Sequence, residues 1–499
     1  MKNILLIILS LLIIGGCEDL EDTYSDYAGD GAIRYVGVCT NISITSGWKR
    51  LIVKWDNNPD PCIEKIKVTW ETENIRDSLF LAPNETECSI PNLEEGNYEI
   101  RVYGVDKEGK LSLSTPLFGR PYTSNHETIL SFTRLIAKHY FVKDRLALFF
   151  STWSANVESA ELNYYVGENL NTLKLNSDLI AQKYYLLPDH INLDRPVVLK
   201  RQGRIEGCED LIVFDDYTLL KDKLYTTDFK QFIKMKYGVS EITDTFVNNQ
   251  TELEIDYSIT SFEDILNFPN LKKLILGKNR FLKVDYLNEE ISSNASDSKL
   301  YEKEASLFAL NVANEVYGLT VERYNQHFLP KETLSYMKEM GNPTVPIITC
   351  LDRKDWEITC IPEDEGNYNS YLENLFDDNL SNRWQPESQS TARSHEITVD
   401  MKGIKTVSGV KIVQNDFNPK DDKISEELLP GIIKIKISTD KIFWWDATYV
   451  EENTIGATAG ETTIINFQTP QDIRYLQFII NDQSFGKNFA VTLAEISIF

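Results

Sequence analysis

Apolar and polar residues alternate along much of this chain, and the period is that of strands. From Gly31, GAIRYVG is followed by Leu51, Val53 and Trp55, then by Ile66, Val68 and Trp70, each separated by a single residue. Neighbours in a strand point to opposite faces, so this spacing predicts half-buried β-strands. The signature returns near the C-terminus. HEITVDM puts Ile397, Val399 and Met401 on one face, and GVKIVQ does the same for Val410 and Ile412. IIKIKIS turns Ile433, Ile435 and Ile437 inward and Lys434 and Lys436 toward water. With RYLQFIIN and LAEISIF these runs predict an antiparallel sandwich of about eight strands. Residues 125–215 hold LALFFSTWSANVESAELNYYV, with Trp153 and an alternating Leu162 and Tyr164, and predict a further sandwich.

The middle of the chain has another period. SFEDILNFPNLKKLILGKNRF spaces Leu271, Leu274, Leu276, Asn279 and Phe281 as a leucine-rich repeat does. Leu253 and Ile255 stand about 21 residues before Leu274 and Leu276, within one repeat length. The register goes no further, because Ile259 would then face Arg280; Leu319 and Val321 open a candidate third rung. Such leucines fill a shared core, and the Asn bonds the turn backbone of its neighbour. Two or three rungs do not make a solenoid, so a small α/β unit is expected, with helices over Lys299–Val316 and Lys331–Met340. Its surface suits a packing spacer, or a protein partner.

At 499 residues the chain exceeds one core. The patterns divide it into a leader (1–16), an acidic tether (17–30), a sandwich (31–121), a second sandwich (122–215), the leucine-rich α/β segment (216–350) and a C-terminal sandwich (351–499). The fold class is therefore mainly β, multidomain. With 76 acids against 51 bases the net charge is -25, which repels phosphate backbones and argues against nucleic acid. The seven cysteines form no CxxC pair, so a zinc ribbon is not expected. Six of them either pair, with Cys350 and Cys360 the most local candidates, or stand as buried thiols.

Lys2 and the apolar run Ile4–Ile14, too short to cross a bilayer, end in Gly15-Gly16-Cys17. Small residues before a cysteine resemble the bacterial lipoprotein box, which implies acylation of Cys17 and a membrane held only through lipid. EDLEDTYSDY behind it resembles the export signal of Bacteroidetes-type surface lipoproteins, implying an outer-membrane protein facing the medium. Leu93, Gly96, Tyr98, Ile100, Val102 and Gly109 stand as in the last strands of fibronectin type III-like sandwiches, with Tyr98 as the tyrosine-corner residue and a hairpin over Asp106–Lys110. Trp55 and Trp70 then read as core, and Trp48 also as structural.

LFDDNLSNRW, HEITVDM, STDKIFWW, IRYLQF and LAEISIF follow one another as in the discoidin, or coagulation-factor type C, domain. That family includes galactose-binding-like carbohydrate modules. Asp378 stands where the family has Gly, Asn382 where it has Thr, and Gln477 where it has a second Arg after Arg474. The resemblance implies a structural calcium, to which Asp377, Asn382 and Glu495 would contribute oxygens. It also implies a glycan ligand on the loops at one end of the sandwich. Phe485 is the favoured stacking residue. Trp445 is a candidate platform or edge residue, His395 a contact or a strand-end residue, and Arg474 a polar contact. Trp384 and Trp444 read as core.

None of the five histidines sits in HExxH or beside a plausible activated Ser or Cys, and no GxSxG, P-loop or dinucleotide fingerprint occurs. With no catalytic motif in view, the resemblances imply a non-catalytic surface lipoprotein that binds glycan for neighbouring outer-membrane uptake proteins. A protein–protein adhesin or scaffold, and then an unrecognised glycan hydrolase, are the alternatives.

Overall fold

The computed structural model describes residues 35–130, 134–283, 298–363, 371–416 and 427–499. The leader, Cys17 and the tether lie outside them. The described chain is mainly β. It divides into two compact units, the described residues up to 130 with 154–160 and 200–216 in one, and those of 134–153, 161–199 and 217–499 in the other. Residues 122–215, expected as one sandwich, are thus shared between the two.

In the first unit a three-stranded sheet (Thr40–Gly47, Arg50–Asp56, Glu87–Ile90) and a four-stranded sheet (Arg76–Leu81, Lys65–Glu71, Tyr98–Val105, Leu117–Gly119) are both antiparallel. Leu51, Val53, Trp55, Ile66, Val68, Ile100 and Val102 fill the space between them, as their alternation requires. Tyr98 is buried and its hydroxyl donates to the Glu94 carbonyl at 3.3 Å, the bond of a tyrosine corner. Asp106 Oδ1 accepts the Glu108 and Lys110 N–H groups at 2.9 and 2.8 Å and closes the expected hairpin.

In the second unit the leucine-rich segment forms a parallel sheet of Glu252–Ile255, Lys273–Leu276, Thr320–Tyr324 and Met337–Met340. The register is the one the spacing asks for: Leu253 lies beside Leu274, Ile255 beside Leu276, and Leu274 beside Val321. The Asn279 amide bonds the Glu254 and Asp256 carboxylates instead of a turn backbone. One helix, Lys303–Tyr317, covers the sheet. The other, expected over 331–340, does not form. Lys331 takes φ 66°, which interrupts a helix, and Met337–Met340 pairs with Val321–Tyr324 as the fourth strand. The Ile136–Val142 and Arg145–Phe150 hairpin adds Tyr140, Val142, Ala147 and Phe149 to this same core.

The C-terminal sandwich is built on two 20-residue strands, Ser394–Val413 and Thr462–Asn481, paired antiparallel. The pairing shifts between Asp400 and Lys405, where Lys402 takes φ 58°. The halves on each side of that bulge take different neighbours. Glu396–Asp400 pairs with Glu357–Ile361, and the facing Tyr475–Ile479 with Lys434–Ser438. Val410–Val413 pairs with Glu495–Ile498. Ile397, Val399, Met401, Ile433, Ile435 and Ile437 are all buried, as their period predicts. Among the described residues no disulfide forms, and Cys39, Cys88 and Cys208 are buried thiols. No described helix is long and apolar enough to cross a membrane.

Candidate functional site

The candidate ligand residues fall at opposite ends of one ladder. Ser438 pairs with Tyr475, which pairs with Asp400; at the far end Ser394 pairs with Asn481. Six residues of strand separate these rows, about 20 Å. Trp445, beside Ile437, and Arg474 belong to the first end. His395 and Phe485 belong to the second. The four do not converge on one site.

The second end is closed. Asp482, buried, receives His395 Nε2 at 2.9 Å and Arg393 Nε and backbone N–H at 3.0 Å each. The His395 ring meets Trp384 edge-on at 5.2 Å, and both are buried. Burial alone would raise the Asp482 carboxyl, but His395 and Arg393 hold it below its ordinary range. His395 is therefore a core group, not a ligand contact, and Trp384 is core as expected. Phe485 is half-buried on a hairpin of Gln483–Phe485 and Asn488–Ala490. Gly486 at φ 59° starts its two-residue turn, where a side chain would be strained.

The first end is open. Ser438, fully buried, accepts the Asp440 and Lys441 N–H groups at 3.3 and 3.0 Å. Asp440 Oδ1 accepts those of Ile442 and Phe443 at 2.8 and 3.0 Å. This doubly stapled turn pushes Ile442 and Phe443 into solvent, 74% and 73% exposed, with Trp445 at 39%. Trp444, expected in the core, is only half-buried, because the turn rather than a continuous strand sets its direction. Beside the turn Arg474 is held by Asp400 through two bonds of 2.8 and 2.9 Å, so its guanidinium is already engaged. That pairing holds the Asp400 carboxyl far below its usual range. Ile442 and Phe443 were missed in the sequence. The signal was there: four consecutive apolar residues, IFWW, cannot all face one core.

The residues proposed for calcium come together, but not as an ion cage. Glu495 is buried, with one oxygen on Arg353 Nη1 at 2.7 Å and the other on the Asp378 N–H at 3.1 Å. Arg353 also holds Asp378 at 2.6 Å. Asp377 accepts the Asn379 N–H and the Asn382 amide at 2.9 and 2.6 Å, which leaves the buried Asn382 Oδ1 as the unspent oxygen of the set. Calcium needs six to eight oxygens and no cation among them, so this set does not fit it. Burial dominates Glu495 and pushes its carboxyl up to about 7 despite Arg353. Asp378 at φ 60° adopts the left-handed conformation that explains a Gly there in relatives.

Residues 357–494 match the F5/8 type C domain, and the C-terminal sandwich is of that kind. Residues 17–189 match DUF4998, a domain of unknown function, and not a fibronectin family. Neither match spans half of the chain. No curated protein matches it. Among solved structures it is similar to a Clostridium perfringens module, CBM32-5, in complex with GalNAc-β-1,3-galactose (12% identity, 30% of this chain and 99% of that one, TM-score 0.25). It is also similar to the family 32 module of Clostridium perfringens NanJ in complex with galactose (15% identity, 30% and 97%, TM-score 0.24). A third is the C-terminal domain of a Bacteroides fragilis chitobiase (17% identity, 30% and 97%, TM-score 0.25).

Proposed function

We propose that this protein is a non-catalytic surface lipoprotein whose C-terminal sandwich binds carbohydrate. One observation carries the ligand site: the turn stapled by Ser438 and Asp440 keeps Phe443 and Trp445 in solvent. A sugar presents an apolar face that stacks on an aromatic ring and a rim of hydroxyls that need polar partners. The rings supply the first. Lys402 and Glu357, exposed and paired with each other beside the turn, supply the second, while the Asp400 oxygens are taken by Arg474 and Lys402. The turn, not the half-buried Phe485, is thus the first platform to test. That two similar modules hold galactose-containing sugars is said of those modules; we extend the class of ligand, not the sugar, to this chain.

The lipid on Cys17, the outer-membrane address and the role for uptake partners rest on the leader and the acidic residues behind it. The fibronectin-like reading of the first sandwich belongs to the same picture, as a spacer. Affinity gel electrophoresis of the full protein over a panel of polysaccharides tests the binding. Retardation by at least one glycan, reduced in Phe443→Ala/Trp445→Ala, is expected; no retardation by any would end the reading. Protease shaving of intact cells tests the address, and full protection of the mature chain would refute it.

A further inference from the structure

A cavity of about 410 Å³ lies within the second unit, away from the aromatic turn. The helix Thr227–Tyr237 and the turn after Ile255 form one wall, and residues 448–454 and 463–467 of the C-terminal sandwich form the other. These walls are fixed to each other. Arg280 and Glu461, both buried, pair through two bonds, the longer 3.0 Å, and the Thr462 N–H donates to the Phe281 carbonyl at 2.9 Å. Gly238, at φ 69°, lies so close to the Tyr449 ring that a Cβ would come within 2.5 Å of it.

The charged groups of the cavity are already spent on the protein. Asp256 receives the Asn279 N–H and amide at 2.9 Å each and Lys236 at 3.2 Å. Asp228 receives the Thr260 and Phe229 N–H groups at 2.6 and 3.0 Å. Among the described residues an ionic ligand would meet no free counter-charge there. What remains is polar and neutral, or aromatic: Gln231, Asn466 and the rings of Phe232 and Tyr449, the last 41% exposed. Asn453, 3% exposed, is held in the wall by a hydrogen bond with the Thr448 hydroxyl at 2.8 Å, and that hydroxyl also bonds the Val450 carbonyl.

We propose that this cleft is a second ligand site, for a neutral, hydroxyl-bearing molecule of one or two sugar rings. The volume lies in the range of small-molecule sites, and rings beside amides suit the two faces of a sugar. The choice of sugar rests on the carbohydrate reading above; the neutrality and size rest on the cleft alone.

Hydrogen–deuterium exchange of the full protein tests it, with galactose, glucose, mannose, xylose, the two N-acetylhexosamines and their β-linked disaccharides as probes. Slowed exchange over residues 228–236 and 448–454 with at least one sugar is expected. The effect should persist in Phe443→Ala/Trp445→Ala. It should weaken about tenfold in apparent affinity, or ~1.4 kcal/mol, in Gln231→Ala/Asn466→Ala, whose exposed side chains leave the fold intact. Protection that no sugar produces, or that the Gln231→Ala/Asn466→Ala variant leaves unchanged, overturns the cleft. Protection confined to the aromatic turn overturns the cleft and keeps the head site. Protection confined to the cleft does the reverse.

Discussion

The two ends of the ladder between Ser394–Asp400 and Tyr475–Asn481 solve opposite problems with similar residues. At one end a buried carboxylate takes bonds from a buried histidine and a half-buried arginine, with Trp384 against the histidine. At the other a serine and an aspartate spend their oxygens on backbone N–H groups and so force apolar side chains outward. The first arrangement fixes a strand end, since a buried charge is tolerated only when paired. The second gives up apolar burial and leaves rings free for a partner. Polar residues at a strand end thus do not mark a binding site. What matters is whether their hydrogen bonds close the core or open a turn.

That contrast can be broken first at the closed end. Asp482→Ala strips His395 and Arg393 of their shared acceptor, and denaturant unfolding should show a loss of about 3–5 kcal/mol. Glycan retardation by the fraction still folded should be unchanged. If retardation disappears while the fold survives, the closed end is the ligand site. A smaller loss, about 1–3 kcal/mol, is expected from Arg353→Met, which leaves the buried Glu495 without its cation. In the parent protein a chelator should leave the thermal midpoint where it is; a lower midpoint would restore calcium to that corner.

At the open end the order is reversed. Phe443→Ala/Trp445→Ala should weaken glycan retention tenfold or more, about 1.4 kcal/mol, while stability stays within about 0.5 kcal/mol. Phe485→Ala, half-buried, should cost stability before affinity; equal losses of affinity would put the ligand across both ends. The smallest effect is one of pH. The Asp482 carboxyl is held below its ordinary range, so its contribution is complete above the unfolded value, about 3.9, and is lost as the pH falls through the lower folded value. An acid titration of Asp482→Asn should therefore lack a decline that the parent shows below about pH 3.9.

Much of this was legible from residue order. Period two placed Ile397, Val399, Ile433, Ile435 and Ile437 in the core, and a repeat of about 21 residues placed Leu253 beside Leu274. Both are local properties, and a strand or a rung reads the same wherever it packs. The segment over 331–340 misled because its strand exists only by pairing with Val321–Tyr324. At His395 the choice between a contact and a strand-end residue stayed open for a similar reason. Its partner Asp482 stands 87 residues away, and nothing near His395 shows that the ring is enclosed.

The chain by itself settled that strands dominate, where the leucine-rich rungs lie and that a type C sandwich closes the sequence, because those follow from side-chain period and from motifs in order. Only the tertiary structure decided that Arg353 stands against Glu495, that Asp482 encloses His395, and that Phe443 and Trp445 reach solvent. Each depends on which distant backbone or charge arrives beside the residue, and a one-dimensional pattern carries no record of that.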